Sequence, residues 1–312
     1  MKSFELQGHR GARGLKPENT LPSFEAALDA GVSAIETDLH LTCDGVAVIH
    51  HDERISGRLC RPAESGAMTN SSDGLLISQL ESRQLQAYIA DLNPDPDRFA
   101  DQDRTETPLA KLFAARRGMQ VYAIPTLCDL FDLAAAYAGE DGAHCSKSEA
   151  LRAKAALLRF DLELKRVPFH PEFIGDTFDG TSPGKLEVKV VEAVRKANLV
   201  GRTTVRSFDH RAVMAIRLLE PGLRAAILIA ETMPISPANL VRQADATIYC
   251  PDFRFLDALQ IVQLHSEGIG VIPWTVNRQE DWDRLLDWGV DGITTDYPDR
   301  LAELLTKRGI EF

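Results

Sequence analysis

The sequence is short of several things, and each shortage removes a class of function. Five cysteines (Cys43, Cys60, Cys128, Cys145, Cys250) are spread over 312 residues, an odd number with no CxxC pair. Neither a thiolate zinc site nor a closed disulfide framework is indicated. Lys and Arg number 35 against 46 Asp and Glu, for a formal charge of −11. Binding to nucleic acid draws on clustered cations, so a nucleic-acid partner is not expected. No run approaches the ~18 apolar residues of a membrane span. The opening MKSFELQGHRG has no apolar segment of the kind a secretory signal carries. A soluble, cytoplasmic protein is the expectation.

What remains is ordinary globular material, 44% hydrophobic and 26% charged. A chain of this length can bury a large core without covalent staples. An acidic chain can still take a phosphate substrate, because a divalent cation and a few Arg or Lys make one cleft locally positive.

Short β-type runs alternate with amphipathic segments. Strands are expected at Phe4–Gly8, Ser33–Leu39, Arg159–Lys165, Thr203–Ser207, Leu223–Ile229, Ala246–Tyr249, Gly270–Thr275 and Gly292–Thr294. Helical patterns cover Leu21–Ala30, Gly184–Ala197, His210–Leu219, Phe255–Glu267 and Glu280–Leu286. About eight strand–helix units predict an α/β protein folded as one (β/α)8, or TIM, barrel over residues 1–312. Residues 53 to about 120 break the rhythm with DLNPDPDRFADQDR and no strong period. They read as an insertion after the second strand, either a lid over the mouth or a surface excursion. Pro125 and Thr126 open a helix with Leu127, Leu130 and Leu133 on one side.

The chemistry concentrates near strand ends. Alternation puts Glu36 and Asp38 on one face of AIETDL, opposite Ile35, Thr37 and Leu39. If the apolar face meets the helices, the two acids point at the barrel axis. Two carboxylates so close repel, and a divalent cation resolves the conflict. The competing reading is an exposed strand face. In FDLELK, Glu163 and Lys165 share a face, one a third metal ligand and the other a cation for phosphate; an internal ion pair is the alternative. His50 and His51 are neighbours in a predicted strand Val46–Asp52, so at most one of them points into a site. Trp274 lies where the seventh strand opens, as pocket wall or as core. Asp296-Tyr297-Pro298 reads as a chain turn.

HRG, PENT, ExD, TxDG, HD, ExK, SF, WTVN and GITTDYP follow in order over nearly the whole chain. In this the sequence resembles the glycerophosphodiester phosphodiesterase family. The resemblance implies a (β/α)8 barrel with an insertion after strand two. It implies hydrolysis of glycerophosphodiesters to glycerol 3-phosphate and an alcohol, with the glycerol 2-hydroxyl as nucleophile. His9 and His51 would be the acid–base pair and His50 would stand outside. Arg10 and Lys165 would hold phosphate. Glu36, Asp38 and Glu163 would hold calcium or magnesium. After HD the sequence runs ERISGRLCRP instead of the family's usual Leu and Arg-Thr-Thr stretch, and the insertion is longer and more acidic. Three rivals stand beside this reading: a sphingomyelinase D-like lyase that stops at a cyclic phosphate, an enzyme for intact lysolipids, and a barrel that only binds phosphoesters. The insertion is poor in aromatics (Tyr88, Phe99, Phe113), which counts against the lysolipid reading.

Overall fold

The structure, a computed structural model, describes residues 3–64 and 74–312. Eight strands carry the fold: β1 (Glu5–His9), β2 (Ala34–Leu41), β3 (Arg159–Leu164), β4 (Thr203–Ser207), β5 (Arg224–Ile229), β6 (Ile248–Pro251), β7 (Gly270–Val271) and β8 (Gly292–Thr295). All pair in parallel, in the order β7-β6-β5-β4-β3-β2-β1-β8. The ring closes through backbone hydrogen bonds from Asp291 to Val271 and from Thr294 to Pro273. A helix follows each strand on the outside, α1 (Leu21–Asp29), α2 (Leu127–Ala138), α3 (Lys185–Lys196), α4 (His210–Leu219), α5 (Pro237–Gln243), α6 (Ala258–Ser266), α7 (Gln279–Trp288) and α8 (Pro298–Lys307), with further helices beside α2 between β2 and β3. This is the (β/α)8 barrel expected from the alternation. Among the described residues, no helix is long and apolar enough to cross a membrane.

Local chemistry explains the helix starts. Thr20 caps α1, accepting from the Ser23 amide, with Pro22 in the first turn. Thr126 and Asp129 form a reciprocal capping box on α2, and Leu127, Leu130 and Leu133 are buried as the pattern predicts. Two expectations need correction. The strand foreseen over Val46–Asp52 is only Ala47–Ile49, pairing antiparallel with β2, so His50 and His51 lie beyond its end. The seventh strand is shorter than Gly270–Thr275, because Pro273 has no amide to donate and interrupts the ladder.

The segment after β2 is better ordered than its sequence suggests, although residues 65–73 lie outside the described part. Arg54–Ile55 pairs with Leu75–Leu76, and Arg61–Pro62 with Tyr88–Ile89. Ile55, Leu59, Cys60, Ile77, Leu85 and Ala90 bury a small core of their own with Val48 and Ile124. A ten-residue helix, Pro108–Arg117, was missed. Its first-turn amides at Leu109 and Ala110 are held by the fully buried Glu25 carboxylate of α1, while Leu109 and Phe113 join the barrel core. That tertiary cap is invisible in a local pattern.

The barrel interior divides in two. On the β5–β7 side it is apolar: Ala226, Leu228, Ile248, Cys250 and Ile272. On the β8–β4 side it is a polar chain. Arg159 and Arg224 meet Glu5 on the floor. Gln7 bridges Glu5 and Asp161. The fully buried Arg206 then spans Asp161 at 3.3 Å and Glu36 at 2.9 Å. Burial pushes the Asp161 carboxyl up, opposed by Arg206. Arg206→Met should therefore lower stability by about 3–5 kcal/mol, the usual cost of leaving buried charges unpaired. A carboxyl whose folded pKa is raised binds protons more tightly in the folded state, so stability is lost as pH rises through that value. The deficit of the variant should be smaller at pH 5 than at pH 8. Urea unfolding of parent and variant in chelator at both values measures it; equal midpoints would contradict the account.

Candidate active site

The site lies at the C-terminal end of the barrel strands, where (β/α)8 enzymes bind substrate. A cavity of about 330 Å³ opens there, lined by His9, Arg10, Arg13, His51, Arg98, Glu163, Lys165, Arg206, Phe208, Leu228, Trp274 and Thr275. A larger cavity of about 870 Å³ lies at the opposite, N-terminal end around Glu5, Arg159 and Arg224. The size of that second cavity is no guide to chemistry, since it contains none of the histidines or strand-end acids described below.

The first loop is built by backbone strain. Arg10 and Gly11 follow β1 with φ of 52° and 87°. A Cβ on Gly11 would sit 2.5–2.6 Å from Ser23 atoms, so only glycine fits. This turn points the Arg10 amide at Glu36 Oε2, 3.1 Å away, and leaves His9 at the strand end. Asn19, also left-handed at φ 57°, donates to Asp38 and accepts from Thr37. It serves the site, while Thr20 is the helix cap.

The three predicted acids converge. Glu36, Asp38 and Glu163 each offer an oxygen, all within 4.8 Å of one another. Strand register explains it: Asp38 lies opposite Glu163 in the β2–β3 pair, and Glu36 lies opposite His9 in β1–β2. Glu36 and Asp38 are fully buried, so the exposed-face reading fails. Burial, reinforced by Asp38 and Glu163 against Arg206, raises the Glu36 carboxyl to about 7. Burial also opposes ionisation of Asp38, but Arg10 and Lys165 hold it well below the usual carboxylate range. Glu36 Oε1 and Asp38 Oδ1 are buried without hydrogen-bond partners. Glu36 Oε1 does lie 2.9 Å from Arg206, but at an angle that makes only an ion pair. Oxygen donors of this charge and spacing fit a hard divalent cation.

Arg10 and Lys165 line the cavity as expected. Arg10 is paired with Glu18 (2.7 Å) and Asp38 (3.1 Å), and Lys165 with Glu163 (2.8 Å). The internal ion pair and the cavity-facing lysine are thus both present. His9 is buried and His51 half-buried, and both face the cavity. The His51 Nδ1 is 2.7 Å from Asp52. His50 is buried away from the cavity. Trp274 is pocket wall, edge-on to Phe208 with ring centroids 5.5 Å apart.

Sequence reasoning missed four contributors. Asp296 is no mere turn residue. It is fully buried and accepts from His9 Nδ1 (2.7 Å), Arg13 Nε (2.7 Å) and Asn277 Nδ2 (2.6 Å). Burial, then Arg13, pushes the His9 imidazole down to about 3 against the pull of Asp296. A neutral His9 donating from Nδ1 leaves Nε2 as the free nitrogen, 3.8 Å from Glu36. Arg13, Arg206 and Glu18 were also missed. Arg13 stands three residues after Arg10, and Asp296 belongs to GITTDYP, so position in those motifs was the available signal.

Removing the Asp296 charge should loosen the ring and its tautomer. Asp296→Asn should lower turnover by ~10²–10⁴ while far-ultraviolet circular dichroism stays unchanged. Parental turnover would reduce Asp296 to packing.

Comparison with known proteins identifies the family and the fold. The model of the glycerophosphoryl diester phosphodiesterase family matches residues 9–139 and 171–300. A glycerophosphodiester phosphodiesterase from Caldanaerobacter subterraneus subsp. tengcongensis is 26% identical over 312 residues, covering 99% of this chain and all of the relative. Among solved structures, a provisionally named glycerophosphoryl diester phosphodiesterase from Silicibacter pomeroyi superimposes with a TM-score of 0.79 at 28% identity, covering 100% of this chain and 96% of that one. An Oleispira antarctica phosphodiesterase in complex with the product sn-glycerol-3-phosphate shares the fold, with a TM-score of 0.68 at 20% identity and 97% of both chains covered. The family model spans most of the chain, including the ends of β1, β2 and β8 that carry His9, Glu36, Asp38 and Asp296 but not β3 with Glu163 and Lys165, so this protein belongs to the glycerophosphoryl diester phosphodiesterase family.

Proposed function

We propose that this protein hydrolyses glycerophosphodiesters to glycerol 3-phosphate and an alcohol, with a divalent cation and two histidines. The observation that carries the reading is a cluster of three carboxylates that reaches, through Glu163, one small cavity lined by two imidazoles together with Arg10 and Lys165. We take the chain as a single barrel domain whose insertion belongs to the same catalytic unit.

Glu36, Asp38 and Glu163 would hold calcium or magnesium. When bound, the ion neutralises charge growing on phosphoryl oxygens and offsets the repulsion among the acids. The rest of the work falls to the chain. Arg10 and Lys165 attract the phosphate and keep it oriented. One imidazole takes the proton of the glycerol 2-hydroxyl as its oxygen attacks phosphorus; the other gives a proton to the departing alcohol. The cyclic phosphate is then opened by water with the roles reversed. Asp296 fixes the tautomer of His9, and Asp52 stands in the same relation to His51.

A second reading is favoured by one feature of the mouth. Val167, Phe169, Met233 and Ile235, in the loops after β3 and β5, are exposed, and Phe208 after β4 is partly so. A lysolipid whose hydrocarbon chain crosses this wall would suit them.

Turnover of glycerophosphocholine, -ethanolamine, -inositol and -glycerol tests the function, with product identification to separate hydrolysis from arrest at a cyclic phosphate. Dialysis against a chelator should abolish activity, and calcium or magnesium should restore it. Full activity in the chelated protein would remove the metal from the account. His9→Ala and His51→Ala should each cost ~10²–10⁴ in rate, and His50→Ala only a few-fold. The parent should show a bell-shaped pH profile, because one imidazole must be neutral and the other charged. Normal turnover by His51→Ala would exclude the pair.

A further inference from the structure

We infer that Arg98, delivered by the insertion, determines specificity, drawing substrates whose alcohol carries a negative charge and disfavouring those with an ammonium group. This rests on the function proposed above and adds the class of alcohol.

The cavity is lined by five cations, and four are already committed. Arg10 is 2.7 Å from Glu18, Arg13 is 2.7 Å from Asp296, Lys165 is 2.8 Å from Glu163 and Arg206 is 2.9 Å from Glu36. Their side chains are almost wholly buried. Arg98 differs on both counts. Its side chain is 52% exposed, and the nearest acid among the described residues is Asp296 at 3.7 Å, beyond hydrogen-bond reach. Asp296 is itself saturated by His9, Arg13 and Asn277. Arg98 therefore presents unused N–H donors at the rim of the cavity.

The residue is held there by its surroundings. The Asp95 carboxylate accepts from the Arg98 amide at 3.2 Å, and the Arg98 carbonyl accepts from the Tyr297 hydroxyl at 3.1 Å. Phe99, 2% exposed, lies beneath both Arg13 and Arg98, with the guanidinium carbons 4.8 and 5.0 Å from the ring centroid. Asn93 donates to the Phe99 carbonyl. The backbone is thus anchored to the loop after β8, and an anion finds a cation already in position. Preorganisation of this kind reduces the entropy lost on binding.

Location decides which part of the substrate Arg98 meets. A cavity of about 330 Å³ has room for the glycerophosphate common to all substrates, close to the buried acids and histidines. The alcohol, which varies, must extend to the open rim. An anionic substituent there gains a charge-assisted hydrogen bond, whereas an ammonium group meets like charge.

A matched pair isolates the charge: glycerophosphoinositol 4-phosphate against glycerophosphoinositol, with glycerophosphocholine as the cationic member. For the parent, kcat/KM should fall in the order anionic, neutral, cationic, with about tenfold between the first two, the usual worth of one hydrogen bond to a charged group. Arg98→Gln should bring the phosphorylated-to-neutral ratio close to one, Arg98→Lys should restore most of it, and Arg98→Glu should invert it. An unchanged ratio in Arg98→Gln overturns the inference. So does an equal loss on all three substrates, which would put Arg98 on the common phosphate. A parent inert to every substrate would instead overturn the function itself, and the inference with it.

Discussion

The organisation of this protein follows from one electrostatic problem. Glu36, Asp38 and Glu163 bring their oxygens within 4.8 Å of one another inside a barrel. Such a group repels itself and is costly to desolvate. Arg206 answers at 2.9 Å from Glu36, and Lys165 and Arg10 at 3.5 and 3.1 Å from Asp38. Even so, Glu36 is raised to about 7, first by burial and then by its acidic neighbours. The protein's own cations leave the cluster undercompensated. On the function proposed above, a divalent ion held by these three acids would supply the remaining charge, with Arg10 and Lys165 beside it for the phosphate of a substrate.

The same constraint shapes the rest of the interior. Arg206 is buried against Glu36 with Asp161 as its second acid, and Asp161 Oδ2 accepts in turn from Gln7. A chain of polar groups therefore runs from the floor to the site along β8–β4, while β5–β7 carry ordinary apolar packing. Asp296, held by Arg13 and Asn277, extends the polar side to His9. The mouth repeats the asymmetry. Arg98 stands over the β8 side, and the exposed apolar loops follow β3 to β5.

Much of this was legible in the sequence, where the signal is local. Alternation in AIETDL and FDLELK put Glu36, Asp38, Glu163 and Lys165 on inward faces, and period and caps located most of the outer helices. The barrel followed from counting the strands. What escaped depends on long-range partners. Helix Pro108–Arg117 is anchored by Glu25, more than 80 residues away. Asp296 looks like part of a turn until His9, 287 positions earlier in the chain, is brought against it. Arg206 sits in a strand whose pattern resembles any other, and only closure of the ring sets it between two acids. His51 faces the cavity and His50 does not, as alternation expected, but the strand ends at Ile49, so the two part where the chain has already left the sheet.

The central claim is that the acid cluster is a metal site left short of positive charge. Calorimetric titration of calcium and magnesium into metal-free protein tests it most directly, with thermal unfolding alongside. The account predicts one ion per chain, weaker binding in Glu163→Gln, and a rise in unfolding temperature that corresponds to about 2.7 kcal/mol when the ion is at a hundred times its Kd. Heat and stability unaffected by either ion, or equal binding by parent and Glu163→Gln, would contradict it.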